Sequence, residues 1–101
     1  MYDLTDALDT VRVSQASGRA FLETFFAGLG ANEEESRINA DGILTAALWW
    51  HPGQGQGFEK LPRFARRFRN GGLVGDAPMT WVADRTSTAL LDAGKGLGYV
   101  A

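Results

Sequence analysis

The sequence predicts an α+β unit in which three helices are followed by a β-hairpin. Two amphipathic segments with recognisable capping residues come first, a third apolar stripe follows a glycine-rich loop, and two β-prone runs lie near the end. The chain has 101 residues, of which 45% are hydrophobic. This length suits one hydrophobic core, so we expect residues 1–101 to form a single domain.

The first predicted helix begins after Ser14, whose hydroxyl can accept a hydrogen bond from an unpaired backbone N–H of the first turn. It continues to about Leu29, where Gly28 and Gly30 provide the backbone freedom that ends a helix. Its apolar residues form one broad face that we expect to be buried: Phe21, Leu22, Phe25, Phe26 and Leu29.

The second predicted helix has a capping box, with Asn32 as the N-cap and Glu35 at the third helical position. Its apolar stripe follows helical spacing and consists of Ala40, Ile43, Leu44, Ala47 and Leu48. The helical pattern stops before Pro52, because proline disfavours helical geometry at the residue before it.

The third predicted helix begins near Leu61 and Pro62, since proline suits a first helical turn. Its apolar stripe is Leu61, Phe64, Ala65 and Phe68, and residues 70–72 end it. Strands are predicted at 79–82 and 88–91 around a turn at 84–87, with Trp81 in the core.

Residues 99–101 resemble the first turn of a further element, which suggests a piece of a longer protein. A short terminal strand is the alternative interpretation of these residues. The chain has no cysteine, which excludes disulfides, thiolate metal ligands and a thiol nucleophile. No apolar run is long enough to span a membrane, and the acidic N-terminus is unlike a signal peptide, so we expect a cytoplasmic protein.

Basic residues are concentrated in residues 51–70, which contain five of them and one acidic residue. The basic helix at 61–69, together with Lys60, has three interpretations: a solvated helix face, a site for a carboxylate substrate, or a nucleic-acid contact. The last is disfavoured because no aromatic residues are interleaved on the polar face and the whole chain is acidic.

His51 is the only histidine of the chain, so a metal site is not predicted, since zinc needs three or four ligands. Its imidazole either packs against the adjacent tryptophans or acts as a general acid, which histidine can do near neutral pH. The loop at 52–57 alternates glycine with other residues and is either a ligand-facing segment or a connector. It has neither a P-loop nor a Rossmann fingerprint.

Several segments, in order, resemble the malate/L-lactate dehydrogenase family of NAD(P)-dependent 2-hydroxyacid oxidoreductases, which is distinct from the Rossmann-fold lactate and malate dehydrogenases. The family has a Ser-His-Gly loop, an Arg-Leu-Pro-x-Tyr segment and an Arg-Leu-x-x-Gly helix end. This sequence has Gly-Gln-Gly at 55–57, Lys-Leu-Pro-Arg-Phe at 60–64 and Arg-Phe-Arg-Asn-Gly at 67–71. The similarity extends over roughly residues 11–101 and includes a Gly-x-Gly at 96–98.

The resemblance implies that this α+β unit is the N-terminal region of a larger α/β enzyme, whose NAD- or NADP-binding domain follows downstream. The full protein is then expected to be a homodimer that acts on a small 2-oxo or 2-hydroxy acid. Gln56 stands where the family has its proton-donating histidine, and Lys60 stands where an arginine holds the substrate carboxylate.

These two departures change the expected chemistry. A glutamine amide donates a hydrogen bond but does not deliver a proton near neutral pH, and lysine keeps the charge without the bidentate fork. His51, five residues upstream, is a candidate substitute acid. The alternative function is a small non-enzymatic interaction module, whose basic helix at 61–69 binds an acidic partner.

Overall fold

A computed structural model describes residues 12–49 and 57–101. It contains helices α1 (Gln15–Leu29), α2 (Glu33–Leu48) and α3 (Leu61–Arg69), and strands β1 (Thr80–Asp84) and β2 (Ala89–Asp92). A 3-10 turn at Phe58–Lys60 leads directly into α3. The predicted α+β order of three helices and a hairpin is therefore confirmed.

Both predicted caps of α1 are present. Ser14 Oγ accepts a hydrogen bond from the backbone N–H of Ser17 at 3.1 Å. At the other end, Gly30 has a φ of 111° and donates its N–H to Ala27 O. That left-handed geometry favours glycine, so the residue ends the helix where the sequence predicts.

The capping box of α2 is also confirmed. The N–H of Glu35 donates to Asn32 Oδ1 at 2.8 Å, and the N–H of Asn32 donates to Glu35 Oε1 at 2.9 Å. Three glutamates occupy the first turn, where the helix dipole favours negative charge.

The core lies between α1 and α2, with contributions from α3 and the C-terminal turn. Its buried hydrophobic residues are Leu22, Phe26, Ala31, Ala40, Ile43, Leu44, Leu61 and Leu97. The buried face of α1 is narrower than predicted, because Phe21 is 54% exposed. Leu48 at the end of α2 is likewise exposed, and Phe64 and Phe68 of α3 are only partly buried.

The segment after β2 returns to the helices. Leu97 is fully buried, and the N–H of Val74 donates to Lys95 O at 2.9 Å. Residues 98–100 form a turn in which Val100 donates its N–H to Leu97 O at 3.1 Å. The alternative of a short terminal strand is therefore wrong.

The hairpin is antiparallel, with Trp81 opposite Leu91 and Asp84 opposite Ala89, and its register is irregular between Trp81 and Ala83. Each strand begins one residue later than predicted. The prediction that Trp81 belongs to the core is wrong, since it is 66% exposed. Its neighbours Val82 and Leu90 are also exposed, because no helix of the described residues covers the hairpin.

Candidate functional site

A cavity of about 530 Å³ lies between α2, α3 and the turn at 96–99. Two aromatic rings, three cationic side chains and one buried amide contribute to its wall: Phe64, Tyr99, Lys60, Arg63, Arg67 and Asn39. None of the described lining residues is acidic. The cavity therefore favours an anion over a cation or a neutral molecule.

Lys60 lies at the end of the 3-10 turn, immediately before α3. Its backbone N–H donates to Gly57 O at 3.1 Å, and Pro62 in the next turn stabilises the start of the helix. The ammonium Nζ lies 5.5 Å from the ring centroid of Phe64, within cation–π range. Phe64 in turn packs edge-on against the buried ring of Phe26, at 5.3 Å between centroids. The core thus supports the aromatic ring on which Lys60 rests.

Arg63 and Arg67 lie one helical turn apart on α3 and therefore on the same side of the helix. Both are exposed residues, and both line the cavity. Arg19 and Arg37 both pair with Asp41, whereas within residues 12–49 and 57–101 no carboxylate pairs with Arg63 or Arg67.

Asn39 is a polar residue in the core, only 1% exposed. Its Nδ2 donates to the backbone carbonyl of Glu35 at 2.8 Å. A carbonyl only accepts hydrogen bonds, so this contact fixes the orientation of the amide. The other end, Oδ1, is buried without a hydrogen-bond partner among the described residues.

Tyr99 and Gly96 bring the C-terminal turn close to its neighbours. A Cβ built on Gly42 of α2 would lie 2.7 Å from the Tyr99 ring, so the ring rests directly on the helix backbone. Gly96 is equally confined, since a Cβ there would lie 2.7 Å from Met79 Cε. Gly96 and Tyr99 themselves line the cavity.

The structure describes only one of the three predicted site residues. Lys60 lines the cavity, whereas Gln56 and His51 lie outside the described residues, so their roles stay predictions. Arg63 and Arg67 line the cavity together with Lys60. Both belong to the group of basic residues that the sequence analysis considered together.

Asn39 and Tyr99 were missed as site residues. Asn39 could have been found, because it lies one helical turn before Ile43, on the side of α2 that the apolar stripe predicts to be buried. Tyr99 gave no comparable signal, since its contact with α2 depends on the path of the chain after β2.

Metal binding and membrane spanning have no support in the part of the chain that the structure describes. There, no three His, Cys, Asp or Glu residues are grouped so that they could hold a metal ion. The helices described in that part are too short or too polar to cross a bilayer.

Solved structures of malate dehydrogenases have the same fold over part of their length. The enzyme from Pyrococcus horikoshii OT3 matches 89% of this chain at 28% identity, with a TM-score of 0.80. The malate dehydrogenase from Entamoeba histolytica matches 91% of it at 22% identity, with a TM-score of 0.79. No protein-family model and no curated protein sequence matches the chain.

This chain spans only 25% of the length of either structure. In fold, it is therefore a dehydrogenase-like fragment that corresponds to about a quarter of those proteins.

Proposed function

We propose that this chain is the N-terminal part of an NAD(P)-dependent oxidoreductase of the malate/L-lactate dehydrogenase type. The full protein interconverts a 2-oxo acid and the corresponding 2-hydroxy acid. The observation that carries the proposal is the TM-score of 0.80 with a malate dehydrogenase over 89% of the chain. The cation-lined cavity supports it, because a 2-oxo acid is a small organic anion.

The cofactor is assigned to polypeptide downstream of this unit. Among residues 12–49 and 57–101, no strand leads through a glycine-rich turn into a helix in the way that binds a dinucleotide, since both described strands follow α3. In the proposed reaction the reduced nicotinamide supplies the hydride, and this chain binds and orients the acid.

Lys60 binds the substrate carboxylate in this proposal. Its ammonium lies at the cavity wall and is supported by Phe64, which limits the side-chain motion that would be lost on binding. The side chain of Gln56 donates a hydrogen bond to the carbonyl oxygen that becomes the hydroxyl. Since an amide does not release a proton at neutral pH, His51 or water delivers that proton.

The activity test uses the protein expressed from its complete reading frame. Oxidation of NADH and NADPH is followed with pyruvate, oxaloacetate and bulkier 2-oxo acids. We expect turnover with at least one acid. No turnover with any acid and either nucleotide would show that the proposed activity is wrong.

The role of Lys60 is tested in the same assay with Lys60→Met. We expect KM for the acid to rise about tenfold while kcat changes little, because the carboxylate contact is made in both the ground and transition states. Arg69→Met is the matched control, since Arg69 carries the same charge on α3 but does not line the cavity.

Gln56→Ala and His51→Gln test the loop. We expect Gln56→Ala to lower kcat more than it raises KM, because the carbonyl hydrogen bond strengthens as negative charge develops on the oxygen. Unchanged kinetics in Gln56→Ala would exclude the loop from catalysis. A kcat unaffected by His51→Gln would assign proton delivery to water.

A binding module for an acidic partner is the second candidate, because all four arginines of α3 are exposed. In that case Arg66→Met and Arg69→Met would weaken binding of an acidic polypeptide as strongly as Arg63→Met and Arg67→Met. Such binding would also weaken steeply with added salt.

A further inference from the structure

We propose that Tyr99 determines the length of the acids that the site accepts, because its ring separates the cation-lined cavity from a second, largely apolar cavity on α2. Acids with a long apolar chain are excluded while the ring is in place. That the ligand is an acid rests on the proposed function, whereas the separation of the two cavities rests on the structure.

The arrangement of the two cavities is the first argument. The second cavity has a volume of about 510 Å³, and residues of α2 and its C-cap line it together with Tyr99: Asp41, Gly42, Thr45, Ala46 and Trp49. Among the described lining residues, Tyr99 alone is shared with the cation-lined cavity. Its side chain therefore lies at the boundary of the two spaces, and removing it would join them.

The packing of the ring is the second argument. A Cβ on Gly42 would lie 2.7 to 2.8 Å from three ring atoms of Tyr99, so a glycine at this position is what lets the ring rest on the helix. Glycine is a poor helix former, and Gly42 lies in the interior of α2. The contact with the ring accounts for a glycine at a position where the helix itself disfavours it. The next residue, Val100, packs against the core and helps to hold the ring in place.

The chemistry of the second cavity is the third argument. None of its described lining residues is a cation, and the carboxylate that lines it, Asp41, is paired with Arg19 and Arg37. The rest of the wall includes Ala46 and Trp49, a large aromatic residue that is 75% exposed. The second cavity therefore suits an alkyl chain, whereas the cations of the first suit an acidic group.

The test is calorimetric binding of propionate and octanoate to the protein from its complete reading frame, without nucleotide. Both are monocarboxylates, and octanoate has the longer alkyl chain. In the unmodified protein, we expect octanoate to bind no more tightly than propionate. In Tyr99→Ala, the affinity for octanoate relative to propionate should rise about tenfold, because the alkyl chain enters the second cavity. In the oxidation assay, kcat/KM for 2-oxooctanoate relative to pyruvate should rise by a similar factor.

Further variants assign the effect to the ring. Tyr99→Phe keeps the ring and should keep the exclusion of octanoate. Trp81→Ala is the matched control, since it removes an exposed aromatic residue that lines neither cavity, and it should leave the affinity ratio unchanged. Trp49→Ala alone should also leave the ratio unchanged. In the Tyr99→Ala protein, however, Trp49→Ala should reduce the gain, because Trp49 contacts the alkyl chain once the cavities are joined.

An unchanged affinity ratio in Tyr99→Ala would overturn the inference, and so would the absence of binding of either acid to every variant. If Tyr99→Ala fails to fold, the unmodified protein and Trp49→Ala still decide. Octanoate that binds more tightly than propionate to the unmodified protein, and loses this advantage in Trp49→Ala, would show that the ring does not separate the cavities. A shifted ratio without NAD(P)H oxidation would leave this inference standing and contradict only the proposed activity.

Discussion

Glu35 and Asp76 are 41 residues apart in the chain, and the amide N–H of Asp76 donates to Glu35 Oε1 at 2.7 Å. The same oxygen accepts the N–H of Asn32 at 2.9 Å, so one carboxylate completes the cap of α2 and binds the segment before the hairpin. Asp76 has a φ of 53°, an uncommon geometry for a residue with a side chain. The hydrogen bond to Glu35 helps to hold that geometry.

Replacing Glu35 should weaken the fold more than replacing an ordinary helix-capping residue. Glu35→Ala leaves two amides without their acceptor, and we expect a loss of about 1–3 kcal/mol in the free energy of unfolding. Glu35→Gln keeps an acceptor oxygen but loses the charge, so about half of that loss is expected. Urea unfolding of both variants measures the difference. Equal losses would show that the negative charge accounts for the whole effect, and an unchanged stability in Glu35→Gln would show that the charge is unimportant.

Gly75 tolerates no side chain. A Cβ there would lie within 3 Å of the backbone of Gly30 and Ala31, which is not free to move because it ends α1. We expect Gly75→Ala to lower the free energy of unfolding by about 1–3 kcal/mol.

Gly28→Ala is the matched control for Gly75→Ala. Gly28 lies in α1, and a Cβ there would meet nothing within 4 Å. Alanine is the better helix former, so this variant should gain about 0.5–1 kcal/mol. Thermal unfolding compares the two variants, and a Gly75→Ala protein as stable as the unmodified one would contradict the close backbone approach.

Leu97 anchors the C-terminal turn in the core. It is fully buried, whereas Leu90 in β2 is 57% exposed. Leu97→Ala should therefore lower the free energy of unfolding by about 2–5 kcal/mol, and Leu90→Ala by no more than about 0.5 kcal/mol. Denaturant unfolding of the two variants checks this, and similar losses would mean that the turn does not pack as described.

Asp41 links the first two helices through ion pairs with Arg19 of α1 and Arg37 of α2. The side chains of Arg19 and Asp41 are 44% and 47% exposed, so solvent screens the interaction. We expect Asp41→Asn to cost at most about 1 kcal/mol at low salt. In about 1 M NaCl the difference from the unmodified protein should vanish. A cost that persists in salt would indicate a hydrogen-bonding role instead.

The helices could be predicted from the sequence because their signals are local. Ser14, Asn32 with Glu35, and Gly30 act within one turn of the helix end that they define. The environment of the hairpin could not be predicted in this way. Trp81 has the large, mostly apolar side chain that is typical of a core residue. Its burial nevertheless depends on whether another element covers β1, and no local pattern predicts that.

The candidate site was predictable in part. Lys60 followed from the family resemblance, and the basic character of α3 followed from composition. The sequence did not predict that Arg63, Arg67 and Asn39 line the same cavity, because their proximity depends on how α3 and α2 are placed across the core. Tyr99 joins them only because Leu97 brings the last turn back to the helices.

The hairpin pairs β1 with β2 and, within the described residues, with no other strand. Its two outer edges consequently present free N–H and C=O groups beside the exposed Trp81 and Val82. Such an edge is a template for further strands, so concentrated solutions of this chain should aggregate by strand addition at the hairpin while the helices are still folded.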